Sequence, residues 1–426
     1  MSCARPALAG LVASLVVGCR SHPEAAATIE LWALGREGEV VERMMPEFER
    51  LHPGASVRVQ QVPWSAAHEK LLTAYVGDSM PDVFQVGNTW VPEFVALGAL
   101  EALDGRVAAS DAIDADDYFP GILDTNVIDG RLRAIPWYVD TRLLFYRADL
   151  LAEVGFDSAP RSWDTWVEAM RRLRARSGGG YGILLPLNEW QPLVILALQL
   201  DAKLLREGER FGNFRSAEFR RAFSFYLDLF GRDLAPRAGD AQVANLYQDF
   251  ARGYFSFTIT GPWNLGEFAR RLPAARRDDW STAPMPAPGE DYPGVSIAGG
   301  SSLALFRASA RKDLAWKMIE FLSAPERHME LYRLTGDLPA RKSAWRPDSL
   351  AHDRRAAAFW SQLQHVRPTP KVPEWERIAA RILQHAEAAI RGRATPEEAL
   401  AALDRDADEV LAKRRWLMSE GERAAR

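Results

Sequence analysis

The chain has 426 residues, of which 47% are hydrophobic and 26% are charged, and its formal net charge is −4. The hydrophobic content is that of a globular protein, and the length exceeds the roughly 250–300 residues that one core usually supports, so we expect two lobes. Lys and Arg are spread along the chain rather than clustered, which argues against a nucleic-acid partner. The 14 tryptophans exceed what such a core needs, and tryptophan often lines ligand sites.

The first residues have the pattern of a secretion signal. Arg5 supplies a basic start, and residues 7–17 form an apolar run that is too short to span a bilayer. Val16-Val17-Gly18-Cys19 resembles the cleavage site of bacterial lipoproteins, at which the cysteine is acylated and becomes the first mature residue. The alternative is an ordinary secretory signal that is cut nearby.

This pattern predicts an exported chain that is anchored to the membrane, on its periplasmic or cell-surface side, only through a lipid on Cys19. Residues 1–18 are then the signal peptide and residues 19–27 a tether. The chain has one other cysteine, Cys3, which lies inside the signal. We therefore expect no disulfide and no thiolate metal site in the mature protein.

The first predicted elements form a strand–helix–strand unit. Polar and apolar residues alternate over residues 28–33, which predicts a strand, and apolar residues then recur at helical spacing over residues 40–51. Ligands bind beyond the carboxyl ends of strands in such sheets. Arg36 and Glu37 follow the first strand and are therefore candidate ligand contacts. The alternative for each is a solvated loop charge.

A second strand end carries another candidate pair. Residues 81–86 read as a strand, and Asn88 and Trp90 follow it before the next helix. Both side chains suit ligand contact, through an amide and an indole. The alternatives are that Asn88 caps the helix and that Trp90 packs on it.

The stretch 134–147 is the one around which the chain is organised. It is rich in β-branched and aromatic residues, which favours a strand. Side chains alternate along a strand, so Tyr138, Asp140 and Arg142 would point to the same face. A ring, a carboxylate and a guanidinium suit a polar, neutral, ring-shaped ligand. The alternative is an ion pair between Asp140 and Arg142 inside a strand.

Two tryptophans follow later predicted strands. Trp190 lies in a polar cluster after the strand predicted over residues 181–187. Trp263 lies at a Gly-Pro turn that opens a helix, where its indole suits a stacking platform; the alternative is that it only anchors the turn.

A glycine pair precedes another predicted strand. Gly299 and Gly300 allow the backbone to approach another group closely, because glycine has no Cβ. Gly300 and the neighbouring Ser301 are therefore candidate contacts.

The order and spacing of several segments resemble the extracellular solute-binding proteins of bacterial ABC importers, in particular the sugar binders of the maltose and trehalose type. The resemblance runs from about Thr28 to Leu411. Its segments include Ile135-Pro136-Trp137-Tyr138-Val139-Asp140, Pro160-Arg161-Ser162-Trp163, Gly261-Pro262-Trp263, Gly299-Gly300, Leu338-Pro339-Ala340-Arg341 and Thr395-Pro396-Glu397-Glu398.

The resemblance implies an α/β, two-lobe periplasmic-binding-protein fold with a hinge and three inter-lobe crossings. It implies an N-terminal lobe of residues 28–138 plus 289–335 and a C-terminal lobe of residues 139–288 plus 336–426. It also implies a monomer whose partners are a small sugar and the permease subunits of an importer.

The resemblance further implies that Glu37, Tyr138 and Asp140 contact the sugar, and that Trp263, Gly300 and Arg341 lie in other contact segments. No catalytic residue, cofactor or metal ligand is expected. The predicted ligand-binding residues are Arg36, Glu37, Asn88, Trp90, Tyr138, Asp140, Arg142, Trp190, Trp263, Gly300, Ser301 and Arg341.

The predicted function is that of a substrate-binding lipoprotein for an α-linked disaccharide or short oligosaccharide such as trehalose or maltose, and two alternatives stay open. In a glycosidase, Glu37 and Asp140 would be an acid/base pair with carboxyl groups about 5–9.5 Å apart; no H-E-x-x-H motif or nucleophile elbow supports hydrolysis. The same fold could bind glycerol phosphate or a polyamine. Phosphate calls for convergent cations, and only Arg36, Arg142 and Arg341 are candidates.

Overall fold

A computed structural model describes residues 27–176, 180–238, 245–345, 350 and 353–424. The predicted signal peptide, Cys19 and all but the last residue of the predicted tether lie outside the described residues. In the described ranges, none of the helices has the length and apolar character that crossing a bilayer requires.

The described residues form strands and helices that alternate along most of the chain. The strands are β1 (Ala27–Leu34), β2 (Ala55–Val62), β3 (Val83–Gly87), β4 (Val127–Ile128), β5 (Arg131–Leu132), β6 (Ile135–Val139), β7 (Leu143–Arg147), β8 (Tyr181–Leu184), β9 (Leu205–Arg206), β10 (Phe211–Gly212), β11 (Phe255–Thr260), β12 (Trp280–Ala283), β13 (Ser296–Ile297), β14 (Gly300–Leu305), β15 (Leu338–Pro339) and β16 (Val366–Arg367). The helices are α1 (Gly35–Leu51), α2 (Trp64–Val76), α3 (Val91–Ala96), α4 (Asp104–Ala108), α5 (Pro120–Asp124), α6 (Ala148–Glu153), α7 (Trp163–Arg174), α8 (Gln191–Gln199), α9 (Ala217–Gly231), α10 (Leu246–Ala251), α11 (Trp263–Arg271), α12 (Lys312–Leu322), α13 (Pro325–Thr335), α14 (Arg354–Leu363), α15 (Trp375–Ile390), α16 (Pro396–Val410) and α17 (Ala412–Ala424).

The first lobe is built on a six-stranded sheet with the order β15–β6–β14–β3–β1–β2. β1 pairs in parallel with β2 and β3, as the strand–helix–strand pattern predicts, whereas β14 runs antiparallel to β3 and β6. Helices cover both faces of the sheet. Leu31 packs with residues of α1 and α12, while its neighbour Trp32 packs with residues of α2 and α3 on the other face. This double burial explains the strongly apolar end of β1.

The second lobe is built on a four-stranded sheet with the order β12–β7–β11–β8. Its core joins apolar residues of α7, α8, α9, α15 and α16 around buried rings such as those of Trp166, Phe214 and Trp375. A second apolar cluster runs from the first lobe into this sheet and includes Phe145 and Trp280, whose rings stack with centroids 5.6 Å apart. The predicted two-lobe α/β architecture is therefore confirmed.

The stretch 134–147 differs from the prediction of one continuous strand. β6 belongs to the first sheet and β7 to the second, and residues 140–142 connect them. Strand alternation therefore does not extend to Asp140 and Arg142. A second difference concerns β15, which pairs with β6 in the first sheet. The predicted lobe boundary at residue 336 thus assigns to the second lobe a strand that pairs in the first.

The close approach of β14 to β6 requires a glycine at position 300. A Cβ on Gly300 would lie 2.4 Å from the carbonyl oxygen of Tyr138, which is far inside van der Waals contact with rigid backbone. We expect Gly300→Ala to lower the free energy of unfolding by about 2 kcal/mol, because the two strands must move apart. Gly289→Ala is the matched control, since a Cβ there would meet nothing within 4 Å. Equal unfolding midpoints for both variants in urea would contradict this account.

Candidate ligand-binding site

A cavity of about 690 Å³ lies between the two lobes, within the usual range for small-molecule pockets of about 300–1,000 Å³. The first lobe contributes residues that follow β1, β3 and β6, and the second lobe contributes the first turns of α8, α11 and α15. Ten of the twelve predicted ligand-binding residues line this cavity: Arg36, Glu37, Asn88, Trp90, Tyr138, Asp140, Arg142, Trp190, Trp263 and Gly300.

A chain of buried hydrogen bonds orients Glu37 in the first turn of α1. The Gln85 Oε1 atom accepts from the backbone N–H of Leu34 at 2.7 Å, so its Nε2 faces the Tyr138 hydroxyl and donates to it at 3.1 Å. The Tyr138 hydroxyl in turn donates to the Glu37 Oε1 atom at 2.5 Å. Burial raises the pKa of Glu37, and the hydrogen bond from Tyr138 opposes that rise.

Arg142 is held by two carboxylates and one indole. Its Nε lies 3.3 Å from the Asp140 Oδ1 atom, and its NH1 donates to the Glu189 Oε2 atom at 3.1 Å. Its guanidinium lies over the Trp263 ring, 4.6 Å from the centroid. Burial raises the pKa of Asp140, and the charge of Arg142 lowers it. The Asp140 side chain is 36% exposed, so the ion pair leaves part of the carboxylate facing the cavity.

Asn88 joins β3 to its neighbours rather than capping a helix. Its Nδ2 donates to the Thr125 hydroxyl at 2.6 Å, and its Oδ1 accepts from the Ser302 hydroxyl at 3.0 Å. These two bonds fix the end of β3 beside Gly300. Asn88 therefore shapes the cavity wall, and these two bonds use only one of its two amide hydrogens.

Indole rings from both lobes border the cavity. In the first lobe Trp64 and Trp90 meet edge to face, with centroids 5.8 Å apart, and in the second lobe Trp190 meets Trp375 in the same way at 5.4 Å. Trp263 has one face covered by a guanidinium. Such edge contacts restrict each ring and leave aromatic surface for a ligand with apolar C–H groups.

The two lobes contact each other through polar side chains at two points of the cavity wall. Arg36 lies 3.7 Å from Glu267 of α11, and the Thr89 hydroxyl donates to the Glu376 Oε1 atom at 2.5 Å. Burial raises the pKa of Glu376. The structure thus has its lobes in contact across the cavity.

Two predicted site residues lie outside the cavity lining, and the prediction is corrected for both. Ser301 is buried in the sheet and its hydroxyl donates to the carbonyl oxygen of Val86. Arg341 turns into the first lobe, where its Nε donates to Asp117 at 2.6 Å and its NH1 donates to two backbone carbonyl oxygens. A buried guanidinium needs these acceptors, and they direct it away from the cleft.

Several lining residues were missed by the sequence analysis. Asp337 lines the cavity and lies in the same turn as Arg341, which was chosen instead. Trp64 also lines it and follows the carboxyl end of β2, so the strand-end rule could have found it. Glu376 lies at the start of α15 and reaches the cavity only through tertiary packing, for which the sequence carries no signal.

The chemistry of the cavity is that of noncovalent binding. Carboxylates, an amide and hydroxyl groups offer hydrogen bonds, and indole rings offer flat apolar surface. Among the described residues, no group of three or more His, Cys, Asp or Glu side chains is arranged to hold a metal ion.

A polar and aromatic cavity between two α/β lobes defines a protein that binds a small solute. The chain belongs to the bacterial extracellular solute-binding protein family, whose family model matches residues 32–328.

Individual relatives cover most of the chain. The sugar-binding protein MalE of Xanthomonas citri is 46% identical, with a TM-score of 0.88 over 92% of this chain and 99% of that chain. A putative binding protein of Brucella abortus (strain 2308) is 24% identical over 95% of this chain and 98% of its own length. The diacetylchitobiose-binding protein DasA of Streptomyces coelicolor is 24% identical over 76% of this chain and 75% of its own length. These likenesses confirm the predicted periplasmic-binding fold.

The buried ion pair of Arg341 leads to a stability prediction. We expect Arg341→Ala to lower the free energy of unfolding by about 3 kcal/mol, because it leaves the Asp117 carboxylate without its cation in a mostly buried place. Ligand affinity should stay within about twofold of the wild type, since the side chain does not reach the cavity. Urea unfolding and calorimetric titration measure the two effects. A large loss of affinity with an unchanged free energy of unfolding would contradict this prediction and show that Arg341 acts in ligand binding.

Proposed function

We propose that this protein is the substrate-binding component of an ABC sugar importer. Its ligand is an α-linked disaccharide or short oligosaccharide of the trehalose or maltose type. The sugar-binding name of the relative that is 46% identical supports the ligand class. A second relative is named for a disaccharide, diacetylchitobiose.

The observation that carries the proposal is the combination of acids and indoles in one cavity. Glu37, Asp140 and Asp337, which we call the cavity floor, line the cavity together with Trp90 and Trp263. Sugar hydroxyls bind well to carboxylates, because charge-assisted hydrogen bonds are roughly twice as strong as neutral ones. The C–H faces of a pyranose ring pack on aromatic planes.

The charge balance of the lining favours a neutral ligand over glycerol phosphate. Arg36 and Arg271 both contact Glu267, at 3.7 and 2.5 Å, and Arg142 is paired with Asp140 at 3.3 Å. Each arginine in the described lining therefore has a carboxylate partner, and a phosphate would have to displace one. A polyamine is less well matched, because several of these carboxylates are already occupied by arginines.

The predicted export and anchoring fit this function. A lipid on Cys19 would hold a monomeric receptor near the permease subunits of the importer, with no other membrane contact. Closure of the two lobes on the sugar would form the surface that the permease recognises.

Asp140 gives the most direct test of the site. We expect Asp140→Ala to weaken sugar binding by about 2 kcal/mol, or about 30-fold in Kd, because a charged acceptor is lost from the cavity. The measurement is calorimetric titration of the tether-free protein with trehalose, maltose and maltotriose.

The control is Asp313→Ala, which removes a carboxylate whose side chain is 98% exposed. Its affinity should match that of the wild type. If Asp140→Ala binds sugar with the affinity of the wild type, Asp140 does not contribute to ligand binding. Release of glucose from any of these sugars would instead favour a glycosidase.

A further inference from the structure

Two buried carboxyl groups on the cavity floor have no cation of their own. Glu37 is 6% exposed and Asp337 is 5% exposed, and both line the cavity. Within the described part of the chain, neither forms an ion pair. Two such groups close together cannot both be ionised without a large cost in free energy.

Strand pairing keeps the two groups near each other. Leu338 of β15 lies opposite Val139 of β6, so Asp337 continues this register beside Asp140. Tyr138, on the same strand β6, donates to Glu37. Glu37 and Asp337 adjoin β1 and β15 of the first sheet, so their proximity does not depend on contact between the lobes.

The hydrogen-bond chain that ends at Glu37 determines which of the two carboxyl groups, Glu37 or Asp337, stays ionised. The backbone N–H of Leu34 fixes the Gln85 amide, the amide donates to the Tyr138 hydroxyl, and this hydroxyl must then donate to Glu37. Glu37 is therefore an acceptor. Burial raises the pKa of Glu37, and the hydrogen bond from Tyr138 lowers it because this bond stabilises the ionised form. A proton shared by the pair belongs on Asp337.

We propose that Glu37 and Asp337 hold one proton between them, carried by Asp337, and present it to the bound ligand. A carboxylate beside a carboxylic acid offers an acceptor and a donor, which matches two neighbouring hydroxyl groups of a sugar. The inference rests on the proposed function in taking a hydroxyl-rich, neutral molecule as the ligand.

The other charged groups around the pair do not supply the missing cation. Asp140 adds negative charge, and Arg142 is shared between Asp140 and Glu189. Arg36 is half exposed and contacts Glu267. Burial and the charge of Glu37 accordingly raise the pKa of Asp337.

Ligand binding removes water from the pair and so tightens the hold on the proton. Binding should then take up a proton at a pH between the raised pKa of Asp337 in the ligand-free protein, about 8, and the still higher pKa of Asp337 in the complex. Across that window the affinity falls as pH rises, by at most about tenfold per pH unit for a single proton. Below the window the affinity is constant and highest.

The test is calorimetric titration with trehalose and maltose at about pH 9, above the raised pKa of Asp337 in the ligand-free protein, in pyrophosphate and in Tris buffer, which differ in ionisation enthalpy. The wild type should take up about one proton per sugar. Asp337→Asn, which keeps a donor but has no titrating proton, should take up none and bind with a pH-independent affinity. Asp313→Asn, altered at an exposed carboxylate, should behave as the wild type. No uptake by the wild type, or undiminished uptake by Asp337→Asn, overturns the proposal.

Infrared difference spectra of the ligand-free protein separate this proposal from the sugar assignment. The wild type minus Asp337→Asn should show the C=O stretch of a protonated carboxyl group, which disappears with a midpoint well above the ordinary Asp value of about 4. If this band appears but neither trehalose nor maltose binds, the proposed ligand class is wrong and the shared proton is still supported. If a sugar binds but this band is absent, the proposed protonation of Asp337 is wrong and the proposed ligand class is still supported.

Discussion

The antiparallel pairing of β6 with β14 and β15 is the constraint on which the cavity depends. β6 lies between these two strands, although they come from chain segments more than 150 residues away. Because both neighbours run antiparallel to it, the residue after β6 meets the residues before β14 and β15 at one sheet edge. Asp140, Gly299 and Asp337 are those residues, and the Asp140 N–H donates to the Gly299 carbonyl at 2.8 Å. One pairing pattern therefore builds the floor.

The pairing of charges determines which ligands the cavity floor can bind. Arg142 pairs with Asp140 at the end of β6 and with Glu189 of the second lobe, while Glu37 and Asp337 form no ion pair among the described residues and Glu37 accepts from the neutral Tyr138 hydroxyl. An acid-rich floor with neutral donors repels anions and accepts hydroxyl groups. The Gln85 amide contributes at a distance, because its orientation is fixed by the backbone of Leu34 and is passed to Glu37 through Tyr138.

The sequence contains most of this site in the form of strand ends. Local patterns located β1, β3 and the aromatic turn at Trp263, and the rule that ligands bind beyond strand ends selected Glu37 and Trp90. The same rule cannot tell which way a long side chain turns. Arg341 was therefore placed in the cleft, although Asp117, remote in sequence, draws it inward. The sequence analysis also missed the break between β6 and β7. Both strands are apolar in sequence, and only their pairing in different sheets separates them.

The two contacts between the lobes contribute too little free energy to fix the closed arrangement without a ligand. The pair of Arg36 and Glu267 is partly exposed and long at 3.7 Å, and such pairs contribute at most about 1 kcal/mol. The bond from Thr89 to Glu376 is better shielded, and a hydrogen bond to a charged group contributes about 1.5–3 kcal/mol before the cost of burying the carboxylate. Both contributions are reduced by the hydration that the charged groups lose. A molecule that touches both the acids of the first sheet and the indoles of the second lobe adds several such bonds at once, and so it determines which arrangement of the lobes is populated.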